Sequence, residues 1–196
     1  MAADRDARHP QAESDTLGVP IGKARTVALA DLVDRVVAAF CRFLVLVTGI
    51  ALTVILSANV GARYVFETGG FRAAQELPER IFPWFIVGGI VLATQAGGHM
   101  AVEWLPSKLG PRGRRNLLLL GNAIIVVVYT VLLREALRLA DIASAERSPV
   151  LGLSGSHGYW SMALGLGLVS LVTITSSIRI SILGPEAAYR ATFKEI

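Results

Sequence analysis

The sequence predicts an all-α membrane protein of four transmembrane helices, and three observations carry that prediction. The 196 residues are 53% hydrophobic and only 17% charged, against roughly 45–50% and about 25% in soluble domains. The apolar residues gather into four blocks without Asp, Glu, Lys or Arg: 43–62, 81–102, 116–133 and 148–178. About 20 apolar residues at ~1.5 Å each cross the ~30 Å hydrocarbon layer. Cys41 is the single cysteine, so neither an internal disulfide nor a thiolate metal cluster can form. A soluble domain, a disordered chain and a secreted disulfide scaffold are thereby excluded. The basic balance, with a pI near 9.6, fits Lys and Arg held beside anionic lipid and gives no reason to invoke nucleic acid.

Residues 1–26 mix acids and bases without an apolar core, which predicts a disordered tail rather than a cleaved leader. From Val27 to Phe40 the pattern becomes helical. Leu29, Leu32, Val33, Val36, Val37 and Phe40 recur at helical spacing, while Asp31, Asp34 and Arg35 fall between them. Asp31 and Arg35 are spaced as an i,i+4 pair. Two readings fit this segment: an amphipathic helix lying in the membrane interface, or an extension of the first span.

The spans fall at about 43–62, 81–102, 116–137 and 158–180, within a membrane domain of 27–183 followed by a short tail, 184–196. Pro78 suits a helical first turn, and Pro83 would then kink the second span. Pro106, Gly110, Pro111 and Gly113 mark a tight basic turn. Arg134, Glu135, Arg138 and Asp141 prolong the third helix beyond its apolar run, and Pro149, Gly152, Gly155 and Gly158 mark the last loop. Residues 1–42, 99–115 and 179–196 together hold 13 of the 19 Lys and Arg residues. The positive-inside rule then places both termini and the 107–115 turn in the cytoplasm.

Chemistry inside the membrane needs ionisable groups at bilayer depth, and the middles of these runs have none. A proton-exchanging exporter lacks its carboxylate, and a haem-bearing anchor lacks axial histidines inside the bundle, since only His9, His99 and His157 exist. No catalytic, cofactor or metal site can be assembled. Packing devices are present instead. Gly49, Thr53, Ser57 and Gly61 make an i,i+4 ladder of small residues, and Gly89, Ala93 and Gly97 make another. Such ladders let helix backbones approach, either within this bundle or against another subunit. Asn59 and Asn122 are suited to interhelical hydrogen bonds. Trp84, Trp160, Tyr64 and Tyr159 form an outer aromatic belt, with Trp104 at the inner side.

The ordered set Asn59-Val60-x-x-Arg63-Tyr64-Val65-Phe66, Gln75-Glu76, Phe82-x-Trp84, Gly88, His99-x-x-Val102, Leu105-Pro106 and Ser148-Pro149-x-Leu151-Gly152 resembles the small permease subunit of TRAP (tripartite ATP-independent periplasmic) transporters. The likeness runs over roughly 33–180. It implies a non-catalytic membrane subunit of a Na⁺-coupled importer of organic acids in the bacterial inner membrane. Such a subunit scaffolds a large elevator-type permease that works with a periplasmic substrate-binding protein. The substrate and Na⁺ sites would then belong to the other chains, in keeping with the missing midplane chemistry.

Residue by residue, Asn59 and Arg63 match the polar pair ending span one, and Glu76 matches the second acid of a pair whose first position holds Gln75. Arg63 and Glu76 can pair at the outer interface or stand as separate boundary charges. Trp84 matches the aromatic position of span two, and His99 matches a histidine at its inner end, where a hydrogen bond suits it better than a ligand role. Pro78, Pro83, the long N-terminal extension and the glycine-rich 152–158 segment depart from the pattern. Three other classes stay open on the residues alone: an autonomous homo-oligomeric transporter or channel, the membrane anchor of a redox complex, and an unrelated four-span assembly protein.

Overall fold

A computed structural model of the chain describes residues 21–66, 73–96 and 110–184. Four helices account for nearly all of them: α1, Ile21–Phe66; α2, Ala73–Gln95; α3, Pro111–Ala143; and α4, Ser156–Leu183. Each is long and apolar enough to cross a membrane. The tails 1–20 and 185–196, together with Gly97, His99, Trp104 and the start of the basic turn, lie outside the described residues.

The segment Val27–Phe40 is continuous with the first span. α1 has 46 residues, about 69 Å of rise, with no proline to interrupt it. α2 begins at Ala73, earlier than its apolar run, and carries Glu76 in its first turn, where a carboxylate suits the helix dipole. Pro78 therefore lies beyond the first turn, and the helix runs through both Pro78 and Pro83. α3 opens with Pro111 directly after Gly110, using the residue whose missing N–H costs nothing at that position. α4 closes on Gly184 at φ 83°, whose N–H reaches the Ile180 carbonyl at 3.2 Å, the left-handed stop that glycine adopts without strain.

α1 and α2 run antiparallel. Gln95 Nε2 donates to the Asp34 carbonyl at 2.9 Å near one end, and a Cβ placed on Gly88 would meet Val45 Cγ2 at 2.7 Å further along. α4 runs parallel to α2 and antiparallel to α1 and α3, and it packs against all three. Its composition explains that place. The buried positions of α4 include Ser161, Ala163, Gly165, Ser170, Thr173 and Thr175, small residues that admit neighbouring backbones. Thr173 and Ser177 return their hydroxyls to the Val169 and Thr173 carbonyls of the same helix at 2.8 and 2.7 Å, so these two hydroxyls are satisfied locally.

The apolar core is a compact cluster of Val37, Cys41, Val91, Val169 and Val172, with Tyr129 of α3 packed against it. α3 itself buries only Ala136, Ala140 and Ala143. Asn122 Nδ2 donates to Ser177 Oγ at 3.0 Å and ties α3 to α4, the interhelical use of Asn122 that the sequence suggests.

Candidate functional site

Two polar staples close the bundle, one near each end. The first joins α1, α2 and α4. Arg179 is 8% exposed; its Nε donates to Asp31 Oδ1 at 2.8 Å and its Nη2 to Asp34 Oδ2 at 2.5 Å. Asp34 Oδ1 also accepts Thr175 Oγ1 at 2.7 Å, and its backbone carbonyl holds Gln95. Asp31 and Asp34 stand three apart and Thr175 and Arg179 four apart, so each pair shares a helix face. The planar guanidinium can therefore address both acids at once. Asp31 thus pairs across the bundle with Arg179.

The second staple joins α2 to the loop between α3 and α4. That loop folds on itself: Gly152 N–H reaches the Ser148 carbonyl at 3.0 Å with Gly152 at φ 64°, and Ser148 N–H reaches the Leu153 carbonyl at 2.9 Å. The turn aims three donors at one point, where the Glu76 carboxylate sits. Ser148 Oγ donates to Glu76 Oε2 in a very short hydrogen bond. The N–H groups of Val150 and Leu151 donate to Oε1 and Oε2, each at 3.1 Å. Successive backbone donors of this kind make an anion-holding nest. One turn along α2, Arg80 Nη1 donates to the Ser154 carbonyl at 2.7 Å.

The sequence-predicted site residues separate into groups. Glu76 is engaged by the loop and forms no ion pair with Arg63, which is exposed at the far end of α1. The Ser148-Pro149-x-Leu151 motif, matched only as a pattern, supplies the partners of Glu76. Trp84 lines a groove between α2, α3 and α4 with Leu133, Leu137, His157 and Trp160. His157 Nδ1 lies 2.9 Å from the Ser154 carbonyl.

Of the small-residue ladders, Gly49 packs against the Phe85 ring. Thr53, Ser57, Gly61, Gly89 and Ala93 face outward, Thr53 bonding the Gly49 carbonyl of its own helix at 2.8 Å. The close interior approaches fall instead at Gly88 and at Gly165, where an added Cβ would meet Val87 at 3.0 Å. Asn59 is partly buried near the end of α1; Gly97 and His99 lie outside the described residues. Among the described residues, no group of three His, Cys, Asp or Glu could hold a metal ion.

The sequence reading missed the Asp31–Asp34–Arg179 staple and the role of Arg80. Its signal was present: two acids three apart at one end of the chain, and a Thr–Arg pair four apart at the other.

Four membrane-length helices stapled by polar groups near the bundle's ends define a multi-pass helical membrane protein. Residues 52–181 match the family described as tripartite ATP-independent periplasmic transporters, DctQ component. The chain belongs to that family, the small membrane component of the TRAP permease. It is also 42% identical over 185 residues to the uncharacterized protein y4mM of Sinorhizobium fredii (strain NBRC 101917 / NGR234). That match covers 94% of this chain and 34% of the relative, so the chain spans about a third of the relative's length.

Proposed function

We propose that this chain is the non-transporting scaffold subunit of a Na⁺-coupled TRAP importer of organic acids. It holds part of the fixed domain of a large elevator-type permease in the bacterial inner membrane, while a periplasmic binding protein delivers the substrate. DctQ components work with a large permease and a substrate-binding protein in TRAP systems. The observation that carries the scaffold role is where the polar groups are used. Asp31, Asp34 and Glu76 and their partners hold helices and a loop together near the ends of the bundle, and Arg42, next to Cys41 of the core cluster, is exposed. A transported carboxylate or Na⁺ needs a polar cavity at depth, and the core is Val and Cys. The Arg179 end, near the basic turn, faces the cytoplasm by the positive-inside rule, and the loop held by Glu76 faces the periplasm.

The test is a pull-down of the tagged chain from native membranes in mild detergent, with mass spectrometry, followed by uptake assays in liposomes. A stoichiometric multi-span permease, with carboxylate uptake that needs both chains, the binding protein and a Na⁺ gradient, is the expected result. Recovery of this chain as a homo-oligomer that transports unaided would overturn it, and a Soret band in the purified protein would point to a redox anchor instead.

A further inference from the structure

The core cluster gives the four helices a common level. It takes Cys41 from α1, Val91 from α2 and Val169 and Val172 from α4, with Tyr129 of α3 packed against it. Counted outward from that level, toward the loop held by Glu76, the charges begin at different distances. They begin after five residues on α3, at Arg134, and after eleven on α2, at Arg80. On α1, past Arg42 at the cluster's own level, the next charge comes after twenty-two residues, at Arg63. These distances are about 8, 16 and 33 Å. Counted the other way, the order reverses. On α1 Arg42 stands beside Cys41 and Arg35 lies six residues below it, whereas on α3 fourteen residues separate Tyr129 from Arg115. Arg35, Arg42, Arg63, Arg115 and Arg134 are all exposed. Two charge-free bands of nearly equal length, 43–62 on α1 and 116–133 on α3, thus sit at different heights. Their centres are displaced by about 24 Å along the helix axes. The two helices are on different sides of the bundle, because α3 packs on α4 while α1 packs on α2 and the other flank of α4.

An upright bundle centred on the cluster fits neither helix. The exposed Arg134 would lie about 8 Å from the midplane, deep in a hydrocarbon layer of ~30 Å. Val54, Leu56, Val60, Tyr64 and Val65, all exposed, would stand outside that layer. The 46 residues of α1, about 69 Å long, also overreach the ~40–45 Å of a whole bilayer. On α1 the lower edge of the apolar surface is itself oblique. Leu29, Val36, Phe40, Phe43 and Val47 are exposed and keep one flank apolar well below the cluster. Arg35 and Arg42, seven residues apart, mark a second flank about a third of a turn away. A helix that leans into lipid immerses one flank further than the other.

We propose that the bilayer contacts this bundle along an oblique belt, so that the bundle leans steeply with its α1 side sunk toward the Arg179 end and its α3 side raised. The partner of this surface is lipid. A layer of one thickness that cuts the bundle obliquely leaves bands of one length at different heights, which is the pattern on α1 and α3. A protein partner on one side would account for one misplaced band and not for their equal length. Arginines bound both bands, Arg42 and Arg63 on α1 and Arg115 and Arg134 on α3, and their long side chains can reach head groups from inside the layer. A displacement of about 24 Å between helices about 16–20 Å apart asks for a lean near the top of the usual range of roughly 0–40°, with snorkelling taking up the rest. The outer end of α1 is then immersed, and the flank of α3 that bears Arg134, Glu135, Arg138 and Asp141 rises into the polar layer. This inference needs only that the chain crosses a membrane, and it stands whether or not the transporter reading does.

The test measures depth at two pairs of positions in the full chain, reconstituted in phospholipid vesicles. A nitroxide is attached at Val54→Cys or Ile142→Cys, each thirteen residues outward of the cluster, or at Leu32→Cys or Leu120→Cys, each nine residues inward. All four side chains are exposed, and Cys41 is buried, with the unsubstituted chain carried through the same labelling as its control. Depth is read from collision with oxygen against collision with a water-soluble nickel chelate. The expected result is that Val54 lies deeper than Ile142, and Leu120 deeper than Leu32, by at least about 10 Å in each pair. Labels at one depth within either pair, or the opposite order, overturn the proposal. A second measurement needs no substitution: infrared dichroism of the unsubstituted chain in oriented bilayers should give a mean helix tilt above about 30°, and a smaller tilt overturns the oblique belt.

Discussion

Arg179 and Asp34 are separated by 145 residues of sequence and meet at 2.5 Å, so the last helix grips the first at the end of the bundle where α1 is amphipathic. Breaking a buried pair by removing one member costs about 3–5 kcal/mol because the other charge is left uncompensated. Arg179→Met should destabilise the detergent-solubilised bundle by about that much, read as a fall in its unfolding midpoint. Asp31→Asn, at a side chain 30% exposed against 14% for Asp34, should cost clearly less than Asp34→Asn. Equal losses for the two acids would show that the guanidinium does not favour the buried partner.

The nest around Glu76 predicts a local effect. Glu76→Ala removes the acceptor of Ser148 Oγ and of the Val150 and Leu151 N–H groups, so hydrogen exchange at those two amides should speed up while the midpoint of the bundle barely moves. Glu76→Gln keeps one carbonyl acceptor and should fall between. Unchanged exchange in the Ala variant would mean that the turn holds itself.

Glycines near the helix contacts should divide by what lies in front of them. Gly88→Ala pushes a Cβ against Val45 and the Cys41 carbonyl and should cost about 1–3 kcal/mol as overpacking. Gly61→Ala and Gly89→Ala meet nothing within 4 Å and should be neutral or stabilise by up to about 1 kcal/mol through helix propensity. Gly61→Leu or Ser57→Leu should leave the isolated bundle intact and reduce assembly with the permease, a contrast read by comparing unfolding with co-purification.

Asn122 and Ser177 supply a tie between α3 and α4, and a double-mutant cycle should give a coupling of about 0.6 kcal/mol, with roughly 1.7 as a ceiling. Ser170 Oγ is buried without a partner, so Ser170→Ala should be neutral or stabilising. A loss above about 1 kcal/mol at Ser170 would reveal a hydrogen bond that the fold does not display.

Much of this was legible in the sequence because membranes impose one-dimensional rules. The four charge-free runs located the helices and the position of Glu76 stood out, whereas Pro111 and Gly113, which read as part of a turn, lie in the first turn of α3. What could not be read is which residues share a depth. Arg179 brackets a charge-free run on paper, but its partners are set by the antiparallel packing of α1 and α4. For the same reason 43–62 reads as a self-contained span, although Cys41, just before it, lies in the core. Small-residue spacing drew attention to Gly61 and Gly89, whereas the tight contacts fell at Gly88 and Gly165, because spacing identifies a face without saying what stands in front of it.

The central place of α4 has a consequence for biosynthesis. Among the four helices, the one that touches all the others leaves the ribosome last. α1 and α2 can pair in the bilayer as soon as both are made, since their contacts do not involve α4, but α3 must wait in lipid for the helix it packs on. Closure of the bundle, and capture of Asp31 and Asp34 by Arg179, thus wait until α4 has been made. Until then the two acids lack their counter-ion, and nascent chains stalled before α4 should be preferred substrates for membrane quality-control proteases.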